Sequence, residues 1–192
     1  YFVLPYTIQN YLADQITVPR FSTELPEFAE AEKAVQARID HLMGIKGKKS
    51  VDSIHKELGH IMWEYVGMGR TEEGLKTALK LLKDIRKEFE TNLFIPGSTE
   101  GVNIELEKAL RLNDFITMGE LIAYDALNRN ESCGGHFREE YQTEEGEAKR
   151  DDENYFYVSC WEYQGSDDVA PVLYKEPLVY EAIKVQTRNY KS

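Results

Sequence analysis

Apolar residues recur every three or four positions through the first 130 residues, and this spacing predicts a series of amphipathic helices. A short helix is expected over residues 6–16, then a linker, then longer helices over about 26–43, 51–66, 72–95 and 103–128. Short connections between long helices make neighbouring helices antiparallel. The pattern therefore predicts a mainly α chain, with an up-and-down bundle of three to four helices over residues 26–130, similar to a spectrin repeat.

The predicted helix boundaries carry capping signals. Ser50 and Thr71 each precede an apolar-periodic stretch with acidic residues in its first turn, as N-cap residues do. The stripes expected to be buried are Phe28, Ala31, Val35, Ile39, Leu42 and Met43; Leu75, Leu79, Leu82, Ile85, Phe89 and Leu93; and Leu106, Leu110, Ile116, Ala123 and Leu127.

After residue 130 the pattern changes to a glycine-containing, acid-rich stretch and then to aromatic and β-branched residues. Two strands are predicted, over residues 155–163 and 179–187, with a turn at 165–168. Because two strands alone are marginal in water, this small C-terminal β segment is expected to pack on the bundle or on another molecule.

Composition excludes some classes of partner. A formal charge of -11 argues against direct binding to nucleic acid or to an anionic membrane surface, because both require a basic patch. No apolar run approaches the ~20 residues of a membrane span, so direct membrane insertion is not expected.

The sequence contains no recognisable catalytic motif. There is no phosphate-binding glycine motif. Cys133, His136 and Cys160 lack a fourth ligand at a zinc-site spacing, and Cys133 with His136 lacks a third group to orient a nucleophile and base. We therefore assign no catalytic, cofactor-binding or metal-binding residue. Two interpretations remain: a piece of a larger enzyme, or an independent acidic helical-bundle module that binds a protein partner.

Residues 129–140, which we call the signature segment, are unusually dense in charged residues around a glycine pair. A second block follows at residues 150–155. Charged groups beside glycines just after a helix are well placed to contact another surface. The nine interface candidates are Arg129, Glu131, Ser132, Gly134, His136, Arg138, Arg150, Asp151 and Asp152.

These two blocks resemble the C-terminal signature of the flavoprotein subunit of succinate dehydrogenase and fumarate reductase. That family carries a motif close to R-x-E-S-R-G-A-H-x-R-x-D, then R-D-D-x-N and an aromatic strand. Residues 62–71 are similar to its helical domain, and residues 1–16 to the last helix of its flavin domain. Cys133, Gly135 and Glu140 depart from the common arginine, alanine and aspartate. They resemble the subgroup with a single di-haem cytochrome b anchor.

The resemblance implies a parent protein that interconverts succinate and fumarate by hydride exchange with FAD. It implies an iron-sulfur subunit and a cytochrome b anchor as partners, at the cytoplasmic face of the bacterial inner membrane. Residues 1–25 would end the flavin domain, residues 26–130 would form the helical domain, and residues 131–192 the acidic loop and β-hairpin. The catalytic and flavin-binding residues would then lie before Tyr1, and residues 1–23 and 137–149 would be mobile or held by neighbouring molecules.

Overall fold

The computed structural model of the chain describes residues 2–166 and 169–186. The helices in this part are α1 (Val3–Gln15), α2 (Pro26–Gly44), α3 (Val51–Val66), α4 (Glu72–Asn92), α5 (Ile104–Asn128) and α6 (Asp152–Tyr155). The strands are β1 (Lys49–Ser50), β2 (Gly69–Arg70), β3 (Leu93–Phe94), β4 (Phe137–Arg138), β5 (Tyr157–Glu162) and β6 (Val172–Pro177). The predicted class, a mainly α chain followed by a small β segment, is confirmed.

The chain forms two compact units, residues 1–41 and residues 42–192. The first unit holds α1, which has no buried residue, and most of α2. The apolar stripe predicted for α2 is exposed at Phe28 and Val35, and Leu42 alone among the stripe residues is buried. The bundle of the second unit therefore has three helices, α3 to α5, while the predicted boundary after residue 25 remains a prediction.

Local capping fixes where the bundle helices begin. Ser50 Oγ accepts from the N–H of Ser53 at 3.2 Å, and Thr71 Oγ1 accepts from the N–H of Gly74 at 3.0 Å. Both predicted N-caps are thus confirmed.

Small residues occupy several of the buried positions between the bundle helices. The sequence predicted Leu79, Leu110 and Leu127 as core residues, but these are only half-buried. The residues directly before them, Ala78, Ala109 and Ala126, are buried, and so is Gly119 of α5. A side chain added at Gly119 would lie 3.1 Å from Met62 Sδ, so the helices approach too closely for a larger residue.

Short parallel strand pairs tie the bundle at two places. β1 pairs with β3, joining the start of α3 to the end of α4. β2 pairs with β4, joining the α3–α4 connection to the chain that follows α5. These two-residue strands carry no periodicity that a sequence could display.

The C-terminal hairpin differs from its prediction in the second strand. β5 lies within the predicted strand, but its antiparallel partner is β6, in the register Trp161↔Leu173. The predicted strand at 179–187 was wrong over its described residues, 179–186, and residue 187 lies outside the described part. Trp161 Nε1 donates to Asp125 Oδ1 at 2.7 Å. This bond holds β5 against α5, and the register places Leu173 directly opposite Trp161 on the neighbouring strand.

Candidate functional site

The signature segment folds over the end of the bundle where α3 ends, α4 begins and α5 ends. Cys133 and His136 exchange two backbone N–H···O bonds of 2.8 and 3.0 Å, which close a tight turn. Gly134 occupies this turn with a φ of 58°, a conformation that favours glycine. β4 then runs beside β2, and the N–H of Glu139 donates to the carbonyl oxygen of Arg70 at 2.8 Å.

Arg138 is the largest fully buried side chain among the described residues. Its Nε donates to Glu140 Oε2 at 3.0 Å, and its Nη1 donates to the carbonyl oxygen of Ala126 at 3.1 Å. The guanidinium thereby satisfies the end of α5, where cations are favoured. It also lies 5.4 Å from the ring centroid of Tyr141, and its Nη2 has no acceptor among the described residues. Ser132, also buried, accepts from the N–H of Arg138 and donates to its carbonyl oxygen.

Glu131 is a second buried charge, with 2% of its surface exposed. Its Oε1 accepts from Arg129 Nη1 at 2.8 Å, and its Oε2 accepts from the N–H of Asp151 at 2.9 Å. Arg129 Nη2 donates in turn to the carbonyl oxygen of Tyr157, and its guanidinium lies near the rings of Tyr155 and Tyr157. One carboxylate therefore joins the signature segment to the second block and, through Arg129, to β5.

His136 connects two arginines that are far apart in sequence. Its Nδ1 lies 2.8 Å from Arg70 Nη1, and its Nε2 lies 2.9 Å from the carbonyl oxygen of Arg129. Since the guanidinium can only donate and the carbonyl can only accept, the imidazole is neutral with its proton on Nε2. Burial lowers the pKa of His136, as do the charges of Arg70, Arg138 and Arg129, while the bond to the Arg129 carbonyl opposes them.

Arg70 and Glu140 belong to the same cluster but were not among the predicted site residues. Arg70 Nε donates to two carbonyl groups at the end of α3, at 3.1 and 3.0 Å. Glu140 Oε1 accepts from the N–H of Glu72, at the start of α4. Burial raises the pKa of Glu140, but the backbone N–H donors and Arg138 outweigh it and the net pKa is lowered. Arg70 stands directly before the N-cap of α4. This position at a predicted helix start is the feature of the sequence that could have marked Arg70 as a site residue.

The remaining candidates lie nearer the surface. Gly134 and Asp152 are exposed. Arg150 Nε donates to Asp152 Oδ1 at 3.0 Å, and Asp151 caps α6 by accepting from the N–H of Asn154 at 3.2 Å. The charged candidates thus find most of their partners within the chain. The expected contact with another surface remains a prediction, and Gly134 and Asp152 are the exposed candidates for it.

Residues 137–149 carry hydrogen bonds within the chain, while their predicted state, mobile or held by neighbouring molecules, remains a prediction. The N–H of Tyr141 donates to the carbonyl of Arg138, and the N–H of Lys149 donates to that of Tyr141. The carbonyl of Lys149 accepts in turn from the N–H of Ser132.

The described residues contain no group of three or more His, Cys, Asp or Glu side chains that could hold a metal ion. A surface groove beside β2 is lined by Glu64, Glu73 and Glu139 together with polar and glycine residues. Three carboxylates would repel a phosphate or a dinucleotide. The hydrogen bonds and ion pairs of the cluster tie together segments that are distant in the sequence.

Residues 55–190 match the protein family described as fumarate reductase flavoprotein C-term. The chain belongs to this family. The match includes most of α3, all of α4 and α5, the signature segment and the hairpin. The resemblance noted from residues 129–155 is thereby confirmed.

Curated relatives of the family are much longer than this chain. The fumarate reductase flavoprotein subunit of Helicobacter pylori is 29% identical over 171 residues, which is 89% of this chain and 23% of that subunit. An uncharacterised FAD-dependent oxidoreductase of Methanocaldococcus jannaschii is 31% identical over 58% of this chain and 20% of its own length. A chloroplastic L-aspartate oxidase of Nicotiana tabacum is 37% identical over 46% of this chain and 13% of its own length. The chain spans about a fifth of the length of the curated relatives it matches.

Solved structures share the fold. A chain of a quinol-fumarate reductase solved with menaquinol molecules superposes with a TM-score of 0.74 and 21% identity, over 92% of this chain and 29% of that chain. Among the described residues, no helix has the length and apolarity required to cross a membrane.

Proposed function

We propose that this chain is the C-terminal helical domain of a flavoprotein subunit that interconverts succinate and fumarate by hydride transfer to or from FAD. Within that subunit the chain has a structural role and carries no catalytic residue. The observation that supports this role is the burial of Glu131, Ser132 and Arg138 in the signature segment. Polar groups of Arg138 bond to the end of α5, and those of Glu131 bond to the second block. These residues hold the domain together.

The choice of substrate rests on the breadth of the similarity. The Helicobacter fumarate reductase subunit matches 89% of this chain, whereas the tobacco L-aspartate oxidase matches 46% of it at higher identity. The signature segment and the second block, which resemble the succinate and fumarate enzymes, add weight to the first. Both relatives are oxidoreductases, and the name of the second makes L-aspartate the alternative to succinate and fumarate as substrate.

FAD is assigned to the part of the subunit that lies outside this chain. The acidic groove at Glu64, Glu73 and Glu139 does not suit the pyrophosphate of a dinucleotide. The other described groove is formed by residues 96–105, which bring no basic side chain. Neither of these two grooves therefore suits a flavin.

The partners follow from the same proposal. An iron-sulfur subunit would carry electrons between the flavin and a cytochrome b anchor, at the cytoplasmic face of a bacterial inner membrane. A quinol-fumarate reductase is among the solved structures that share the fold of this chain. The exposed turn at Gly134 and the exposed Asp152 are the parts of the two blocks that remain open for such contacts.

A substrate comparison tests the proposal. The full-length protein that contains this chain, loaded with FAD, is assayed for succinate oxidation with an artificial acceptor, for fumarate reduction with a reduced dye, and for L-aspartate oxidation. The expected result is turnover of succinate and fumarate and none of L-aspartate. The 192-residue chain serves as the matched control and is expected to bind no FAD and to turn over nothing. Preferred oxidation of L-aspartate, or flavin binding by the control, would refute the corresponding part of the proposal.

A further inference from the structure

We propose that His136 is a pH-sensitive latch: its neutral imidazole holds the α3–α4 connection against the turn that follows α5, and its protonation releases this contact.

The geometry of the latch depends on an unprotonated Nδ1. Arg70 Nη1 lies 2.8 Å from this nitrogen and has only hydrogens to offer, so Nδ1 must supply a lone pair. On the other side of the ring, Nε2–H donates to the carbonyl oxygen of Arg129 at 2.9 Å. A proton on Nδ1 would place two donors, each on a cation, at hydrogen-bond distance, and this pair must separate.

The charged groups around the imidazole also favour its neutral form. Arg70 faces it from β2, Arg129 from the end of α5 and Arg138 from β4. The neighbouring carboxylates are engaged elsewhere. Glu131 bonds Arg129, Glu140 bonds Arg138, and Asp125 of α5, which acts on the charge of Arg70, accepts from Trp161. No carboxylate bonds the imidazole within the described residues, so an added proton would have no counterion in contact with it.

The direction of the pH dependence follows from these surroundings. Burial and the three arginine charges lower the pKa of His136 below its ordinary 6.5 in the folded chain. A folded state that prefers the neutral imidazole is most stable, relative to the unfolded chain, above the ordinary pKa. That contribution is lost as the pH falls below 6.5 and through the lowered pKa of the folded state.

Release of His136 would loosen a defined part of the molecule. Arg70 belongs to β2, and its carbonyl oxygen accepts from the N–H of Glu139 just beyond β4. The connection that carries it, residues 67–70, begins at the end of α3 and includes Met68, which is 89% exposed. Opening the latch would therefore free this connection and the turn at residues 133–136, while the helices keep their own contacts.

Hydrogen exchange of the full-length protein tests the latch. Peptides covering residues 67–70 and 133–139 are compared at about pH 7.5 and about pH 5, after correction for the intrinsic pH dependence of exchange. We expect exchange in these peptides to rise by about tenfold at the lower pH, because protonation removes the hydrogen bond between His136 and Arg70. Peptides from α4 serve as the internal reference and should not change. An equal response in α4, or none in the latch peptides, would overturn the proposal.

Two variants separate a titrating latch from a merely structural residue. His136→Gln keeps an acceptor and a donor on one side chain but cannot titrate, so its latch peptides should lose the pH response. Arg70→Gln removes a neighbouring cation and should move the midpoint of the response to higher pH. His60→Gln, at an exposed position of α3, is the matched control and should respond as the native protein does.

A measurement on the native protein makes the test independent of how the variants fold. The His136 ring protons, followed by NMR against pH, should titrate with a midpoint below 6.5. A midpoint at or above 6.5 would contradict the preference of the folded chain for the neutral imidazole. A pH response that survives in His136→Gln would show that another group controls the opening.

Discussion

Two residues of the signature segment, Glu131 and Arg138, carry buried charges whose effect on stability depends on their hydrogen-bond partners. A buried ionised group is tolerated only when its hydrogen-bonding capacity is met, and removing one partner leaves the other charged and unpaired. Glu131 meets this condition through Arg129 on one oxygen and the N–H of Asp151 on the other. Arg138 meets it only in part, through Glu140 and the carbonyl of Ala126, because its Nη2 has no acceptor among the described residues.

Replacing Glu131 with alanine is expected to lower the free energy of unfolding by about 3 kcal/mol, because Arg129 would lose its carboxylate and the N–H of Asp151 its acceptor. Glu131→Gln keeps an acceptor and should lose less. Urea denaturation followed by circular dichroism measures both. Glu107→Ala removes half of an exposed i,i+4 pair with Arg111 and is the control, expected to leave the midpoint nearly unchanged. Equal effects of Glu131→Ala and Glu107→Ala would contradict the argument.

Close approach decides how the helices of the bundle pack. Gly119 of α5 faces Met62 of α3 and Leu82 of α4, and a Cβ built there would lie 3.1 Å from the Met62 sulfur and 3.6 Å from Leu82 Cδ2. Gly59 of α3, by contrast, has nothing within 4 Å of a built Cβ. Two glycines with the same intrinsic cost to a helix thus have opposite environments.

Leucine at these two glycines should therefore have opposite effects. Gly119→Leu forces a large side chain between three helices and is expected to lower the free energy of unfolding by about 2 kcal/mol or more. Gly59→Leu replaces a poor helix former at an open position and should raise it by roughly 0.5 kcal/mol. Thermal and urea unfolding of the two variants provide the comparison. A neutral Gly119→Leu would mean that the helices can separate without loss.

The two compact units differ in how much of their apolar surface is covered. α1 is 13 residues long and buries none of them, and its apolar residues Val3, Leu4 and Tyr6 are each more than two-thirds exposed. A helix of that length is marginal in water without tertiary contacts. The second unit, in contrast, contains the core of α3 to α5.

This contrast predicts unequal protection of the two units. In the isolated 192-residue chain, the amides of α1 should exchange at close to the rates of an unfolded peptide, while those of α4 should be slower by at least about a hundredfold. In the full-length protein α1 should gain protection, as expected if residues 1–25 end an upstream domain. Hydrogen exchange measured on both forms decides this. Strong protection of α1 in the isolated chain would mean that this helix needs no upstream partner.

The hydrophobic period and the capping residues were sufficient to predict the helices of the bundle. Ser50 and Thr71 mark helix starts through local hydrogen bonds that involve only the next few residues, so the sequence contains all of the required information. The signature residues were recognised for a related reason, because their order along the chain is itself distinctive. Their order does not indicate which of them are buried.

Burial and pairing between distant segments were decided only by the tertiary structure. Whether Leu79 or Ala78 is buried depends on how closely helices approach, and Gly119 sets that distance from another helix. The second strand was misplaced because β-branched and aromatic residues occur both at 172–174 and at 179–185, and only the pairing with β5 distinguishes the two stretches. Arg70 and His136 are separated by 66 residues and share no local pattern. Local hydrogen bonds and periodicity are written in the sequence, whereas the partners of a buried charge exist only after the chain has folded.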